Sequence, residues 1–419
     1  MTSTPPGTSR SSGTPASPDA SAPSETSGRG APAGTTASHG TAAPHGARQR
    51  ARVPHQDQDQ ARARARASLA RRGRALRLGP VSVPLRPRPV LLGLLTALVL
   101  LVLVALNLSV GEVFLSPARV WANVVGTTYD DYFTVWRVRM PRVVVGMLAG
   151  AALAAAGAIT QTIMRNPLAS PDLLGVTHGA SAGVVAVLAF GGSYGIVSGP
   201  LADIGVPALA LIGGLAAGAL CYGLAWRGGI DGFRLLLVGV GVSTVLMNLT
   251  LWMLTLGEVS DTGRAMVWIS GSLSMRTWQD AVPVATALLV LLPLALAAAR
   301  TLDVLSYDDD VVRGLGVRLE RARTAMLVLA VLLAAFGTSA AGPILFVSLA
   351  CPQIALRLAR TSRPPVLLSA LVGAALTCAA DLIARNLVGV QLPVGIVTGC
   401  LGALYLVYLL VRGNRKAQA

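Results

Sequence analysis

The sequence predicts an all-α, polytopic membrane protein: about ten transmembrane helices preceded by a disordered, arginine-rich N-terminal tail. Three observations lead there. Of 419 residues, 53% are hydrophobic and 13% charged, and a mean hydropathy of +0.62 exceeds what filling a soluble core requires. Apolar runs of spanning length recur along the chain, and inside lipid each must satisfy its own backbone, which makes them helices rather than open sheet. Glycine is abundant at 45 residues against 5% aromatics, as expected where helices must approach closely to attract one another in lipid. Gly146/Gly150, Gly214/Gly218 and Gly395/Gly399 show the four-residue spacing of such contacts.

Residues 1–88 form the tail. They hold 14 of the 35 basic residues and four of the 19 acids, so much of the +16 charge belongs to them. Ser, Thr, Pro, Gly and Ala dominate first, then "ARARARASLARRGRALRL", with too few apolar groups to offset the entropy of ordering. An arginine-rich flank before an apolar run is the cytoplasmic side of a first membrane helix, drawn to anionic lipid. No aromatic residues are interleaved to stack bases, so nucleic acid is not the expected partner.

The transmembrane body is expected over 89–412, with a short cytoplasmic tail at 413–419. The first span is 90–110, 21 uncharged residues, long enough to cross and too long for a cleaved signal. The others are 142–163, 173–191, 203–226, 235–256, 281–299, 324–340, 344–359, 366–384 and 393–411. With the tail cytoplasmic, every second connection carries arginine: Arg165; Arg227 and Arg234; Arg300 through Arg323; Arg357, Arg360 and Arg363; Arg412 and Arg415. Both termini are therefore expected on the cytoplasmic side of the plasma membrane. "VWRVRMPR" breaks the pattern by placing Arg137, Arg139 and Arg142 outside, and Arg385 falls near the same side, one turn after Asp381. Such arginines either meet something acidic, snorkel to headgroups, or pair internally.

Chemistry is sparse. Lys416 is the only lysine, so the chain holds no P-loop. "GASAG" at 179–183 satisfies G-x-S-x-G at Ser181, but no strand precedes it and His178 is the sole histidine outside the tail, so a hydrolase is not expected. Cys221, Cys351, Cys378 and Cys400 are scattered through apolar contexts and read as packing residues, not ligands. No metal site or cofactor is expected. Asp308, Asp309 and Asp310 read as a solvated acidic helix start, followed by Val311, Val312 and Leu315 on one face of a short helix that Gly316 ends. In "RNPLASPDLLGV", Pro167 and Pro171 break the helix, and Asp172 can cap the next one over Leu173 and Leu174.

"RMPRVVVGMLAGAALAAAGAITQTIMRNPLASPDLLGVTHGA" (139–180) resembles the signature region of the FecCD family, the permeases of binding-protein-dependent ABC importers for ferric siderophores, haem and cobalamin. So do "FRLLLVGVGVS" (233–243), "VWISGSLS" (267–274), "GLGVRLERAR" (314–323), "GPILFVSLACPQIALRLAR" (342–360) and "DLIARNLVGVQLPVGIVTGCLGALYLVYLL" (381–410). The resemblance implies a ten-helix subunit that shares a translocation path with a second permease, paralogous or identical. Two ATPase subunits would lie beneath and an acidic-faced, siderophore-binding lipoprotein outside. It implies that Arg139, Arg142 and Arg385 dock that protein's carboxylates. Asn166, Pro167 and Leu168 would narrow the cytoplasmic mouth, with Gly232 and Phe233 as a second constriction. The loop 305–321, with Leu305, Val311, Val312, Gly314, Leu315, Gly316, Arg318 and Arg321, would seat in the ATPase.

Two departures stand out: Gln353 replaces the family's usual histidine in P-H-I-A-R, and Ser348 its usual glycine. P-Q-I-A is similar to a form found among ferric-siderophore permeases, which favours that substrate over cobalamin or haem. The rival from another class is a transporter driven by an ion gradient, for which Asp381 is the one clear intramembrane carboxylate.

Overall fold

The computed structural model describes residues 75–78, 81–84, 87–111, 113–190, 200–257, 259–386 and 391–417. The tail before residue 75 and the last two residues of the C-terminal tail lie outside them. The only strands among the described residues are β1 (Ala75–Leu78) and β2 (Val81–Pro84), an antiparallel hairpin with Leu78 opposite Val81. It falls in the segment expected to lack structure. Everything else regular is helical.

The helices are α1 (Pro87–Ser109), α2 (Pro117–Val125), α3 (Met140–Met164), α4 (Val176–Phe190), α5 (Pro200–Ala225), α6 (Gly232–Leu256) and α7 (Val259–Ile269). They continue with α8 (Trp278–Ala297), α9 (Ala299–Leu305), α10 (Asp309–Gly314), α11 (Leu319–Ala341), α12 (Val347–Ala359), α13 (Val366–Asn386) and α14 (Val394–Ala417). Seven of the described helices are long and apolar enough to cross a membrane, and α4, α12 and α14 contribute shorter apolar stretches. Those ten correspond to the ten expected runs. Two amphipathic helices, α2 and α7, were not anticipated; Ser116 caps the first by accepting from Arg119 N at 3.3 Å, with Pro117 opening the helix. The C-terminal residues 413–417, expected as a tail, extend α14.

Helix α3 is the axis of the bundle. Ala, Gly, Val and Leu fill almost its whole length, and nearly all are buried against α8, α11, α12 and α13. Small residues permit this: a Cβ at Gly157 would lie 1.7 Å from the Ser348 carbonyl oxygen of α12, so the two backbones touch. By contrast α1, α6 and α8 turn much of their apolar surface outward, as helices facing lipid or another subunit do.

Helix α12 is only 13 residues, about 20 Å at ~1.5 Å per residue, short of a bilayer core of roughly 30 Å. Gly342, Pro343 and Ile344 extend it as buried non-helical chain, tolerated where protein surrounds it, before a turn at Leu345 and Phe346. Gly271 (φ 72°) and Gly342 (φ 77°) make this path possible: a Cβ on Gly271 would meet the Pro343 carbonyl at 2.1 Å, and Gly395 N donates to Gly271 O at 2.9 Å.

One end of the bundle gathers Arg165, Arg227, Arg300, Arg318, Arg321 and Arg360 and is called the basic end below; the other is the far end.

Candidate functional site

At the far end the three expected docking arginines are inside the bundle. Arg139 ends a π-helical turn, Phe133–Arg139, that delivers it to the C-terminus of α1. It is 6% exposed and donates to the carbonyls of Leu108 (2.6 Å), Ser109 (3.0 Å) and Val113 (2.5 Å), satisfying acceptors that a helix end leaves open. Arg142, 8% exposed, forks onto Asp381 through Nη2 (2.9 Å) and Nε (3.1 Å). Arg385 approaches the other oxygen of Asp381 at 3.2 Å and donates to Asn107 Oδ1 at 2.5 Å. Most of their donors are thus engaged within the chain, Arg385 Nε making no hydrogen bond, and a docking carboxylate would compete with Asp381 and backbone carbonyls for these three side chains. Internal pairing, left open by the spacing, is what the geometry adopts. Of this cluster only Arg137 is exposed.

Along the bundle's side, α6 carries a feature the sequence reading missed. Gly241, Thr244, Asn248 and Thr255 recur within one stripe of the helix, and all are exposed. Thr244 donates to Val240 O and Asn248 to Thr244 O, and a Cβ at Gly241 would meet open space. Polar groups at membrane depth face a cavity or another subunit in preference to lipid. Helical spacing of polar residues in the 235–256 run was the available signal.

At the basic end the two expected constrictions are neighbours. Arg165 ends α3 in the left-handed region (φ 48°), which swings Asn166, Pro167 and Leu168 out of the helix. Asn166 Oδ1 accepts from Leu168 N at 2.9 Å, closing the turn. Gly232 lies against Met164, the last residue of α3, and Asp231 caps α6 by accepting from Arg234 N at 2.9 Å. Pro167, Leu168 and Phe233 are exposed, Phe233 at 77%. The expected ATPase-facing loop sits beside this turn, since Arg165 Nε donates to Leu305 O at 3.3 Å. Leu305 and Val312 are fully buried, while Val311, Gly314, Leu315, Gly316, Arg318 and Arg321 are exposed. Val312 therefore does not share a face with Val311 and Leu315 as expected: successive helical residues differ by about 100°, so Val312 anchors α10 while the other two form an outward apolar pair. Gly316, at φ 77°, stops the helix as expected.

A family model described as the FecCD transport family matches residues 99–412. The chain belongs to this family. Among its relatives are the ferric enterobactin transport system permease protein FepG of Escherichia coli, 40% identical over 312 residues, 73% of this chain and 91% of that one. The achromobactin transport system permease protein CbrC of Dickeya dadantii is 39% identical, covering 75% and 89%, and the iron(3+)-hydroxamate import system permease protein FhuG of Bacillus subtilis 33% identical, covering 78% and 98%. Among solved structures, a metal-chelate type ABC transporter in an inward-facing conformation superposes with a TM-score of 0.65 at 25% identity, covering 77% of this chain and 99% of that one.

The two departures from the usual FecCD residues both acquire partners. Ser348 Oγ donates to Asp172 Oδ2 at 2.6 Å, and Thr177 Oγ1 to Asp172 Oδ1 at 2.5 Å. Asp172 is thus a tie between the α3–α4 connection and α12 rather than the expected helix cap. Gly175 in the left-handed region separates a short 3-10 turn, Pro171–Leu174, from α4, so no continuous helix starts where a cap could act. Gln353 Nε2 donates to Gln161 Oε1 at 2.7 Å, and Gln161 Nε2 to Leu349 O, a buried amide pair joining α3 to α12. Ser181 donates to Thr177 O one turn back on its own helix. Cys221, Cys351 and Cys378 are buried, whereas Cys400 faces out of the bundle, contrary to its reading as a packing residue. Among the described residues no three His, Cys, Asp or Glu side chains gather to hold a metal.

Proposed function

We propose that this chain is one permease subunit of an ABC importer that carries a ferric siderophore inward, powered by ATP hydrolysis on two separate ATPase subunits. Membership of the FecCD transport family and relatives named for ferric enterobactin, achromobactin and iron-hydroxamate support the cargo. The observation that carries the reading is the exposed polar stripe of α6 above the exposed Phe233. It supplies half of a neutral, weakly polar path that a second permease, paralogous or identical, completes. Such a lining suits a bulky chelate passed loosely from one side to the other.

The basic end is read as cytoplasmic, with both termini there, because arginine concentrates in the connections on that side. The ATPases would dock on the outward pair Val311 and Leu315, and an extracytoplasmic binding lipoprotein on the far end. There Arg137 presents the outward charge, and Arg139, Arg142 and Arg385 hold the surface in shape. A gradient-driven transporter is less well supported, since its candidate relay Asp381 is clasped by two arginines. Reconstituted vesicles holding this chain, its companion permease, the ATPases and the binding protein should take up radiolabelled iron siderophores only with ATP. Uptake by this chain alone on a proton gradient would overturn the proposal.

A further inference from the structure

The ATPase-facing helix and both constrictions are joined through one carboxylate, that of Asp309 at the start of α10. Its Oδ1 accepts from Arg165 Nη2 at 2.6 Å and from Arg323 Nη2 at 2.6 Å, and its Oδ2 from Arg323 Nη1 at 3.0 Å. Arg165 immediately precedes Asn166. Arg323, on α11 and 8% exposed, also donates through Nη1 to Ile230 O at 3.2 Å. Ile230 N donates in turn to Glu320 Oε2 at 2.9 Å, so the connection leading to Gly232 is held from both sides of its peptide. The carboxylate therefore touches the turn carrying one constriction directly and the connection carrying the other through a single guanidinium. Charge-assisted, forked hydrogen bonds of this kind fix orientation as well as distance.

We infer that Asp309 is the positioning residue that makes both inner constrictions move as one body with α10, so that displacement of α10 by the ATPases becomes opening or closing of the inner mouth. This rests on the importer reading above. Val312, fully buried on the inner side of α10, supplies apolar anchorage, but packing alone sets no direction for Arg165 and Ile230. The two guanidiniums do. Without the charge, α10 still docks and the ATPases still turn over, while the constrictions no longer follow.

The test uses the complete reconstituted importer and reads iron taken up per ATP hydrolysed. Asp309→Asn, which keeps size and one acceptor, should lower that ratio about tenfold, within the usual span of coupling between sites, with hydrolysis largely retained. Arg165→Gln, which cuts the limb to Asn166 together with the bond to Leu305 O and spares the Arg323 limb, should also lower it. Asp309→Glu should restore part of the ratio, and Asp310→Asn, whose carboxylate is 98% exposed and pairs within α10 to Arg313, should leave it unchanged. If Asp309→Asn fails to assemble, Arg165→Gln decides. A wild-type ratio in both variants, or uptake and hydrolysis falling in parallel, overturns the inference while leaving the importer reading intact. A wild-type complex that takes up no iron chelate with ATP overturns both.

Discussion

Replacing Asp381 with alanine should be among the most damaging single changes in the membrane body. The residue is 2% exposed and accepts from Arg142 through two nitrogens, with Arg385 at 3.2 Å. Arg385 would keep Asn107 Oδ1 and the Asn107 carbonyl, whereas Arg142 would lose the acceptor that its fork is built around. Removing one partner of a buried ion pair costs about 3–5 kcal/mol, chiefly because the remaining charge stays buried without compensation. Removing both should not: the pair Asp381→Ala with Arg142→Met takes away the stranded charge and should recover to within roughly 1–2 kcal/mol of wild type. Asp381→Asn, which keeps an acceptor but no charge, should fall between. The measurement is reversible unfolding of the purified chain in mixed micelles, followed by far-ultraviolet circular dichroism, with wild type, Asp381→Ala, Arg142→Met and the double variant closing a double-mutant cycle. An Asp381→Ala protein within about 1 kcal/mol of wild type, or a double variant whose losses simply add, would refute the account of this cluster as an internal brace.

Gly157→Leu should prevent α3 and α12 from meeting, since even a Cβ would sit 1.7 Å from Ser348 O; folded yield after membrane extraction should collapse, and a wild-type yield would contradict the packing. Ser348→Gly, a reversion to the usual family residue, removes a hydrogen bond to the Asp172 carboxylate and should cost about 1.5–3 kcal/mol in the same unfolding assay; no loss would mean that bond is incidental. For Asp309, burial pushes the carboxyl up but hydrogen bonds from Arg323 and Arg165 outweigh it, leaving it below the ordinary range. A lowered folded value gives stabilisation that is complete above the unfolded carboxylate value of roughly 4 and lost as pH falls through the folded one. Iron uptake per ATP should therefore hold constant between pH 5 and 8 at about the wild-type ratio, and a decline over that window would place the charge elsewhere.

Much of the architecture is legible in single segments. The ten apolar runs are found within a few residues of their helices, because length and hydropathy are properties of contiguous chain. Helix α2 escaped because nine mixed residues between two spans look like a loop until Ser116 and Pro117 are weighed as a start signal. Val312 was misplaced because three apolar residues in a six-residue helix do not reveal which of them faces inward. The acidic run at 308–310 looked uniformly solvated, yet Asp308 and Asp310 are open to solvent and Asp309 is held by two arginines.

By itself the sequence determined that this chain lies in a membrane as a helical bundle, that arginine concentrates at one end, and that its motifs are those of the FecCD transport family. It also marked the turn at 166–168, the start of α6 at Gly232 and the loop at 305–321, which the structure brings side by side. Only the tertiary structure decided which charges are available. Arg142 and Asp381 are 239 residues apart, and Arg165, Asp309 and Arg323 lie on three separate elements, so no local pattern distinguishes an outward arginine from one already paired. Burial depends on what the rest of the chain brings alongside, and that is settled only when small residues let the helices close.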